Sequence, residues 1–187
     1  MDTKEIKGSA IIGTIEQIKK LFGESEYQNL LGLLNENDKK IFNATILASF
    51  WYPLNSFVNL LEADVTYFHN GNRDQLQKGT EDIVTKQLSG IYKLFVKLGS
   101  PEYIVKKIGL INNSYFKGID LEIISSSSGN YVGRYYGFDK NHNIFEYIII
   151  GFYKRALEIS GAKNIKIKFN TPISAGKDYA EIQVTWQ

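Results

Sequence analysis

The fold is decided around the stretch Ala48-Ser49-Phe50-Trp51-Tyr52-Pro53-Leu54. Pro53 has a fixed φ and no N–H, so it suits the first turn of a helix better than the middle of one. Tyr52 precedes a proline and is pushed towards an extended conformation. We therefore expect a helix over residues 53–68. The apolar residues that recur at three- and four-residue steps and define its buried face are Leu54, Phe57, Val58, Leu61, Val65 and Phe68.

Three helices are predicted before this stretch. Residues 7–13 are short, apolar and framed by glycines, so they fit either a small strand or the lead-in to a helix. The first helix is expected to end at Gly23, and a second follows over residues 27–34. Residues 35–38 indicate a turn with a helix cap, after which a third helix is expected to run into the Trp51 junction.

Two further helices are predicted after a polar loop at residues 69–74. The first is expected to begin near Thr80, because Glu81 and Asp82 would place negative charge at the positive end of the helix dipole. Its apolar positions form a narrow stripe of Val84, Leu88, Ile91, Phe95 and Leu98. A Ser-Pro-Glu start at residue 100 predicts the next helix over residues 101–112.

From Tyr115 onwards the apolar pattern changes to the two-residue period of strands. A first hairpin is predicted around a serine-rich loop at residues 125–130. Two alternating stretches at residues 165–169 and 180–186 predict a second hairpin with one buried and one wet face. The buried face is expected to include Ile165, Ile167, Phe169, Ile182, Val184 and Trp186.

A helix is predicted between the two hairpins. Asn143 and Glu146 are three residues apart and fit a capping box, and Gly161 is a suitable stop. The chain is thus expected to form one α+β domain over residues 1–187. N-terminal helices would occupy about residues 1–114, and a four-stranded, mostly antiparallel ββαββ sheet would follow over about residues 115–187.

Composition excludes several classes of protein. With 22 basic and 20 acidic side chains the formal charge is only +2, which is too little for the positive field of a non-specific nucleic-acid binder. The absence of cysteine excludes disulfides, thiolate nucleophiles and thiolate metal sites. No secretory signal leads the chain and no apolar run approaches the ~20 residues of a membrane span, so we expect a cytoplasmic protein.

Few residues are suited to catalysis or metal binding. The two histidines, His69 and His142, each lie in a polar, turn-like context without a second ligand at metal spacing, so no metal site is predicted. No phosphate-binding glycine loop and no nucleophile elbow occurs. Because no nucleophile–base pair can be assembled, we predict that the protein is not an enzyme and has no catalytic residues.

Arg134 is a charged residue inside an apolar aromatic strand, which calls for an explanation. Its planar guanidinium can bind a carboxylate or phosphate at the mouth of a pocket, or it can pair with Glu122 across the hairpin. The cross-strand pair is the preferred explanation, because surface pairing is the common case.

Short motifs are spread over the whole chain: Lys7-Gly8-Ser9, Trp51-Tyr52-Pro53, Gly79, Ser100-Pro101-Glu102, Gly118, Gly161 and Val184-Thr185-Trp186. Together they resemble a family of about this length, without assigned function, that is abundant in myxobacteria. The ββαββ end and its preceding helices also resemble the vinyl-reductase-like domain, which is related to the heme nitric-oxide-binding and Golgi-transport ligand-binding superfamily. The resemblance implies a ligand-binding or interaction module, often dimeric, and implies no catalytic residues.

The heme-binding relatives use a histidine on a helix and a Tyr-x-Ser-x-Arg motif for the propionates. Nothing here matches that pattern, because Arg134 lies in the sequence Gly133-Arg134-Tyr135-Tyr136. We therefore predict no heme and no other cofactor.

The leading hypothesis is a non-catalytic small-molecule-binding or sensory domain. Twelve tyrosines and 11 phenylalanines supply rings that can line a pocket for a small apolar or aromatic ligand, although core packing also explains such rings. The candidate ligand-binding residues are Trp51, Tyr52, Tyr92, Arg134 and Tyr136. The alternative is a protein-interaction or scaffold module acting as a homodimer, with the stripe or the helix over residues 53–68 at its interface.

Overall fold

The computed structural model describes residues 4–88 and 100–187. Its N-terminal elements are β1 (Glu5–Lys7), α1 (Gly8–Phe22), α2 (Glu24–Leu31), α3 (Glu36–Asn43), β2 (Trp51–Pro53), α4 (Leu54–His69) and α5 (Asp74–Leu88). The later elements are α6 (Pro101–Tyr115), β3 (Phe116–Lys117), β4 (Asp120–Ser127), β5 (Asn130–Tyr136), α7 (Phe145–Ile159), β6 (Lys166–Thr171) and β7 (Tyr179–Thr185). The fold is α+β, as predicted.

Two antiparallel sheets connect these elements. The small sheet has the order β2-β1-β3, and the large sheet has the order β4-β5-β7-β6. All neighbouring strands of the large sheet are antiparallel, with α7 connecting its two hairpins. The predicted ββαββ sheet is therefore confirmed. The serine-rich segment is less of a loop than predicted, because residues 125–127 still pair with β5.

The buried face of the large sheet follows the predicted alternation. Ile182, Val184 and Trp186 are at most 6% exposed, whereas Ile167 and Phe169 on the edge strand β6 are half-buried. All five belong to the main core or pack against it. The period-two pattern thus assigned the correct face to the core.

Helix α4 has the buried face that its sequence predicts. The apolar residues at most 5% exposed are Leu54, Phe57, Val58, Leu60, Leu61 and Val65. Phe68 is half-buried against the same core and stacks on Phe22 of α1 at 3.9 Å between ring centroids. This helix therefore anchors α1 through its C-terminal end.

Strand pairing shifts the start of α4. Trp51–Pro53 forms strand β2 instead of the first helical turn, because Ile6 of β1 pairs with Tyr52. The backbone N–H of Leu54 donates to the carbonyl of Lys4 at 2.9 Å. The helix consequently begins one residue after the predicted Pro53, which becomes its N-cap.

The predicted third helix is too long. Helix α3 ends at Asn43, and residues 44–50 are not helical. The carbonyl of Phe50 accepts from the N–H of Gly8 at 2.8 Å, and that of Ala48 accepts from Ser9 at 3.2 Å. These contacts hold the segment against the start of α1 in place of a continued helix.

Helix α5 begins at Asp74 and not near Thr80, so the predicted role of two carboxylates is wrong. Glu81 lies in the middle of the helix and pairs with Lys154 of α7 at 2.9 Å. Asp82 accepts a hydrogen bond from a side chain of α1 at 3.3 Å. Both acids therefore connect α5 to neighbouring helices, Glu81 to α7 and Asp82 to α1. The negative charge in the first turn of α5 comes from Asp74 instead.

The predicted capping box of Asn143 and Glu146 is also wrong. The Asn143 side chain accepts from Arg73 at 3.1 Å. The Glu146 carboxylate accepts from a backbone N–H of the 3₁₀ turn Ile173–Ala175 at 2.7 Å. A capping box does occur, but one turn earlier, in the 3₁₀ turn Lys140–His142.

Gly151 allows α5 and α7 to pack closely. A Cβ at this position would lie 2.5 Å from the carbonyl oxygen of Gln77 and 3.1 Å from the Thr80 Cβ. Only a residue without a side chain permits this approach. Of the residues in this contact, Thr80 also lines the apolar cavity described below.

The apolar stripe is covered only in part by the described residues. Val84 is 4% exposed and packs with Ile104 and Ala156 inside the fold. Ile91, Phe95, Leu98 and the side chain of Leu88 lie outside the described residues, so the homodimer remains a prediction. Within residues 4–88 and 100–187, no helix has the length and apolarity needed to cross a membrane.

Candidate functional site

The first two candidate ligand-binding residues lie in the small sheet. Trp51 is half-buried between the ammonium groups of Lys7 and Lys117, at 4.3 and 4.6 Å from its ring centroid. The Tyr52 hydroxyl accepts a hydrogen bond from the backbone N–H of Leu47 at 2.9 Å. These contacts are cation–π and hydrogen-bonding contacts within the chain itself.

Arg134 pairs with a different acid from the one predicted. Its Nε donates to Glu181 of β7 at 2.8 Å, and its guanidinium lies over the Tyr179 ring. In the strand register Arg134 stands between Glu122 and Glu181, so both acids compete for it. Glu122 instead accepts from the Tyr136 hydroxyl at 2.8 Å. The predicted Glu122 pair is therefore wrong, although a cross-strand pair does form.

The structure does not bring these candidate residues together. Trp51 and Tyr52 belong to the small sheet, Arg134 and Tyr136 to the large sheet, and none of the four lines either of the two cavities below. Tyr92 lies outside the described residues. Ligand binding at these five positions stays a prediction.

An apolar cavity lies between the helices α1, α4, α5, α6 and α7 and is also lined by residues of β1, β3 and β5. Its volume is about 120 Å³. Most of its wall is aliphatic or aromatic, including Phe57, Ile108, Ile111, Phe145, Ile149 and Phe152. Sequence reasoning assigned several of these residues to the core but did not reveal the space between them.

The polar side chains of this apolar cavity are mostly engaged elsewhere. The Asn112 amide donates to the carbonyl of Ile119 at 2.8 Å, and the Thr80 hydroxyl donates to a backbone carbonyl of its own helix. The Tyr135 hydroxyl donates to Tyr153 at 3.3 Å, which donates in turn to Tyr131. Burial raises the pKa of Tyr131 to about 12 and raises those of the other two hydroxyls further, so all three stay neutral. The described wall of the cavity therefore offers mainly apolar contact.

A second cavity, which we call the Asp64 cavity, lies between α1, α4 and α5. Its volume is about 220 Å³, and its wall includes Asp64 and His69 of α4. The Asp64 side chain is 7% exposed, and its Oδ1 has no hydrogen-bond partner among the described residues. Burial raises the pKa of Asp64 to about 7. Burial also lowers the pKa of His69, which favours the neutral imidazole.

Sequence reasoning missed Asp64, although a signal for it exists. Asp64 follows Leu61 by three residues and precedes Val65, so it lies on the face that the apolar spacing assigned to the core. A carboxylate on a buried helix face requires a partner or a function. His142 is also buried, but both of its ring nitrogens have partners within the chain.

His142 has a structural role. It is 0% exposed, and its Nδ1 accepts from the backbone N–H of Asp139 at 2.9 Å. Its Nε2 lies 2.8 Å from the Asn55 side-chain oxygen, to which the ring donates when that nitrogen is protonated. Among the described residues, no group of three or more His, Cys, Asp or Glu could hold a metal ion.

Comparison with known proteins identifies structures of similar fold but no similar sequence. No protein-family model matches the sequence, and no curated protein matches it. In three dimensions the chain is similar to an Fe(II) unliganded H-NOX protein from K. algicida, with a TM-score of 0.74 and 10% identity over 97% of each chain. An H-NOX protein from S. oneidensis in the Fe(II)NO ligation state gives 0.71 at 14% identity, over 97% of this chain and 99% of that one.

A third similar structure is an oxygen-binding H-NOX domain related to soluble guanylate cyclases, in its oxygen complex. It gives a TM-score of 0.65 at 9% identity, over 97% of this chain and 95% of that chain. At these identities the likeness establishes the fold alone. The predicted likeness to the heme nitric-oxide-binding superfamily is confirmed at that level, whereas the myxobacterial family and its Trp-Tyr-Pro motif remain predictions.

Proposed function

We propose that the protein is a non-catalytic small-molecule-binding or sensory domain that holds a small apolar ligand directly in the apolar cavity, without heme. The observation that carries this proposal is the cavity itself, whose wall is apolar and whose polar groups are largely engaged within the chain. Similar structures include an Fe(II)NO complex and an oxygen complex, so domains of this fold bind small molecules.

The residues of this chain do not fit heme. The apolar cavity of about 120 Å³ is well below the roughly 300–1,000 Å³ of pockets that hold drug-sized ligands. Among the described residues, no histidine, cysteine or methionine lines it, and although Tyr115 and Tyr135 do, no arginine or lysine of residues 4–88 and 100–187 is present there to neutralise propionates. Both histidines of the chain lie outside its wall, in the Asp64 cavity and beside Asn55.

The size of the apolar cavity defines the class of ligand. An engineered apolar cavity of about 150 Å³ binds benzene or xenon, so a space of about 120 Å³ accepts a molecule no larger than a small aromatic ring. Apolar walls also exclude charged ligands, because burial of an unpaired ion is strongly unfavourable. We therefore infer a small, neutral, apolar ligand.

The position of the cavity suits a sensor. Its wall takes residues from the N-terminal helix α1, from α5 and from the helices α6 and α7 that pack on the large sheet. A ligand there would change the packing between these elements, because protein interiors are close-packed and respond to added volume. A sensory output would then depend on a shift between two packing arrangements.

Ligand binding can be tested with a matched pair of substitutions. Benzene at ten times its Kd should stabilise the parent by ~1.4 kcal/mol, which corresponds to a rise in Tm of about 3–6 °C. Ile111→Phe should abolish this rise, because Ile111 lines the cavity and the larger ring fills it. Ile124→Phe makes the same change at an exposed position on β4 and should retain the rise. Native mass spectrometry and differential scanning fluorimetry provide the two readouts.

Two results would contradict the proposal. If neither benzene nor xenon binds the parent, or if Ile111→Phe retains full binding, the apolar cavity is not a ligand site. If titration with ferrous or ferric heme gives a stoichiometric Soret band with resolved axial ligation, then the exclusion of heme is wrong.

A further inference from the structure

Two aspartates are deeply buried in the part of the chain that the structure describes, and their surroundings are opposite. Asp38 is 4% exposed, and its Oδ2 accepts from the amides of Asn35 and Asn59 at 2.5 and 2.7 Å. Asp64 is 5% exposed, yet its Oδ1 has no partner among the described residues. A buried carboxylate without a donor is unfavourable by several kcal/mol in general, so it calls for a partner that the chain itself does not supply.

His69 does not act as that partner. Its Nε2 lies 3.7 Å from Oδ2 of Asp64, which is beyond hydrogen-bond distance, and Oδ1 is left without any contact of this kind. Burial lowers the pKa of His69, so the ring is neutral at physiological pH and supplies no positive charge. The donor that Asp64 lacks must therefore come from outside the pair.

Space for such a donor lies next to the carboxylate. The Asp64 cavity is about 220 Å³, and apolar side chains, including Leu61, Leu76 and Ile148, form much of its wall. The Phe22 ring also lines it and stands edge-on to His69 at 5.7 Å between centroids. A ligand here needs an apolar body and one group that donates hydrogen bonds.

The charges around the cavity select a cation. Helix α5 contributes Lys78 and Asp82, and α1 contributes no charged group to the wall but supplies Gln17. Gln17 donates to Asp82 at 3.3 Å and accepts from Lys86 at 3.1 Å, so this side of the wall is already paired. The wall thus carries two carboxylates and one ammonium group, that of Lys78, and the Asp64 carboxylate is the one with an oxygen that has no partner among the described residues. An ammonium ligand would supply that missing donor, which an anion does not.

We propose that the Asp64 cavity is a second binding site, which takes a small organic ammonium or amidinium ion with an apolar body. The Asp64 carboxylate accepts the charged N–H groups, and the apolar walls hold the remainder of the molecule. A bare metal ion does not fit, because among the described residues no three His, Cys, Asp or Glu side chains are placed so that they could hold one. This site adjoins the apolar cavity of the proposed function, since Thr14, Thr80, Ile83 and Ile148 line both, but it has the opposite ligand preference.

Binding at this site should depend on pH. The folded free protein binds a proton on Asp64 below a pKa of about 7, and a cation must displace it. The affinity should therefore fall about tenfold per pH unit below pH 7 and level off above it. The other charged groups that face the site, Lys78 and Asp82 on α5 and His69 on α4, remain in place when Asp64 alone is changed.

Isothermal titration calorimetry at pH 8 with three probes tests the proposal. Benzylamine carries the ammonium group, benzyl alcohol is its uncharged counterpart, and benzoate carries the opposite charge. The parent should bind benzylamine at least tenfold more tightly than either of the others. Asp64→Asn should lose that preference, whereas Asp38→Asn, the matched change at a buried aspartate with partners, should keep it.

The pH series provides a second measurement on the unaltered protein. Because Asp64 is about half protonated at pH 7, benzylamine affinity should fall about fivefold between pH 7 and pH 6 and about tenfold over the next unit. The heat of binding should become more exothermic in proportion to the ionisation enthalpy of the buffer, because the buffer takes up the released proton. Equal binding of benzylamine and benzyl alcohol, or retained benzylamine binding in Asp64→Asn, would overturn the proposal. Ile111→Phe, which blocks benzene in the apolar cavity, should leave benzylamine binding intact and thereby separates the two sites.

Discussion

Replacing Asp64 with asparagine should stabilise the protein at neutral pH and above. Burial raises the pKa of Asp64 from 3.8 to about 7. Between these two values the folded state holds a proton that the unfolded state has lost, so the contribution of Asp64 to stability falls as the pH rises through this range. At ~1.4 kcal/mol per pH unit, the full penalty above pH 7 is about 4 kcal/mol.

Asp64→Asn keeps the shape of the side chain and removes this penalty. We expect the free energy of unfolding of the variant to exceed that of the parent by up to about 4 kcal/mol at pH 8. The gain is reduced by the cost of burying an amide whose polar atoms lack hydrogen-bond partners. The difference should shrink steadily as the pH falls towards 4.5. Burial also lowers the pKa values of His69 and His142, so both folded chains lose stability below about pH 6.5, and that loss largely cancels in the comparison.

Urea unfolding at pH 4.5, 6, 7 and 8 measures the two free energies side by side. Asp38→Asn is the matched control, because its carboxylate accepts from two amides and its loss should destabilise the protein. A difference between Asp64→Asn and the parent that does not change with pH would refute the reasoning. An Asp64→Asn chain that is less stable than the parent at pH 8 would refute it as well.

Two further predictions concern the core and association. Trp186→Ala should lower the free energy of unfolding by ~3–5 kcal/mol, because the ring is only 6% exposed in the core, and a loss near zero in denaturant unfolding would contradict its burial. The parent should form a homodimer in light scattering across a concentration series, and Ile91→Glu should yield a folded monomer, because a charge in the stripe disrupts helix pairing. A parent that stays monomeric would refute the dimer, and an Ile91→Glu chain that unfolds would assign Ile91 to the core.

Sequence periodicity was sufficient to identify the buried face of an element whose opposite face is exposed to solvent. The three- and four-residue spacing from Leu54 to Val65 located the inner face of α4, and the alternation through Val184 located that of β7. The local sequence was sufficient to predict the start of α6, where the Ser100 hydroxyl caps the helix by accepting from the N–H of Tyr103 at 3.4 Å. Signals of this kind depend on near neighbours along the chain, so they can be read without the tertiary structure.

Predictions of element boundaries and side-chain pairs were wrong where a hydrogen-bond or ion-pair partner distant in the sequence competed with a nearby one. The Phe50 carbonyl accepts from the N–H of Gly8, which ends the helical pattern well before the Trp51 junction. Arg134 had acids available on both neighbouring strands, and the geometry of the sheet selected Glu181. Spacing along the sequence contains no information about which of several equivalent partners lies nearest.

The cavities were decided by the tertiary structure alone. Periodicity states that Asp64 and Ile111 lie on inward faces, but not whether neighbouring side chains fill the space that they face. The apolar cavity forms only where elements that are distant in the sequence meet, from β1 and α1 at one end of the chain to α7 near the other. The free Oδ1 of Asp64 likewise reflects how α1, α4 and α5 are placed relative to one another, which is set by packing over the whole chain.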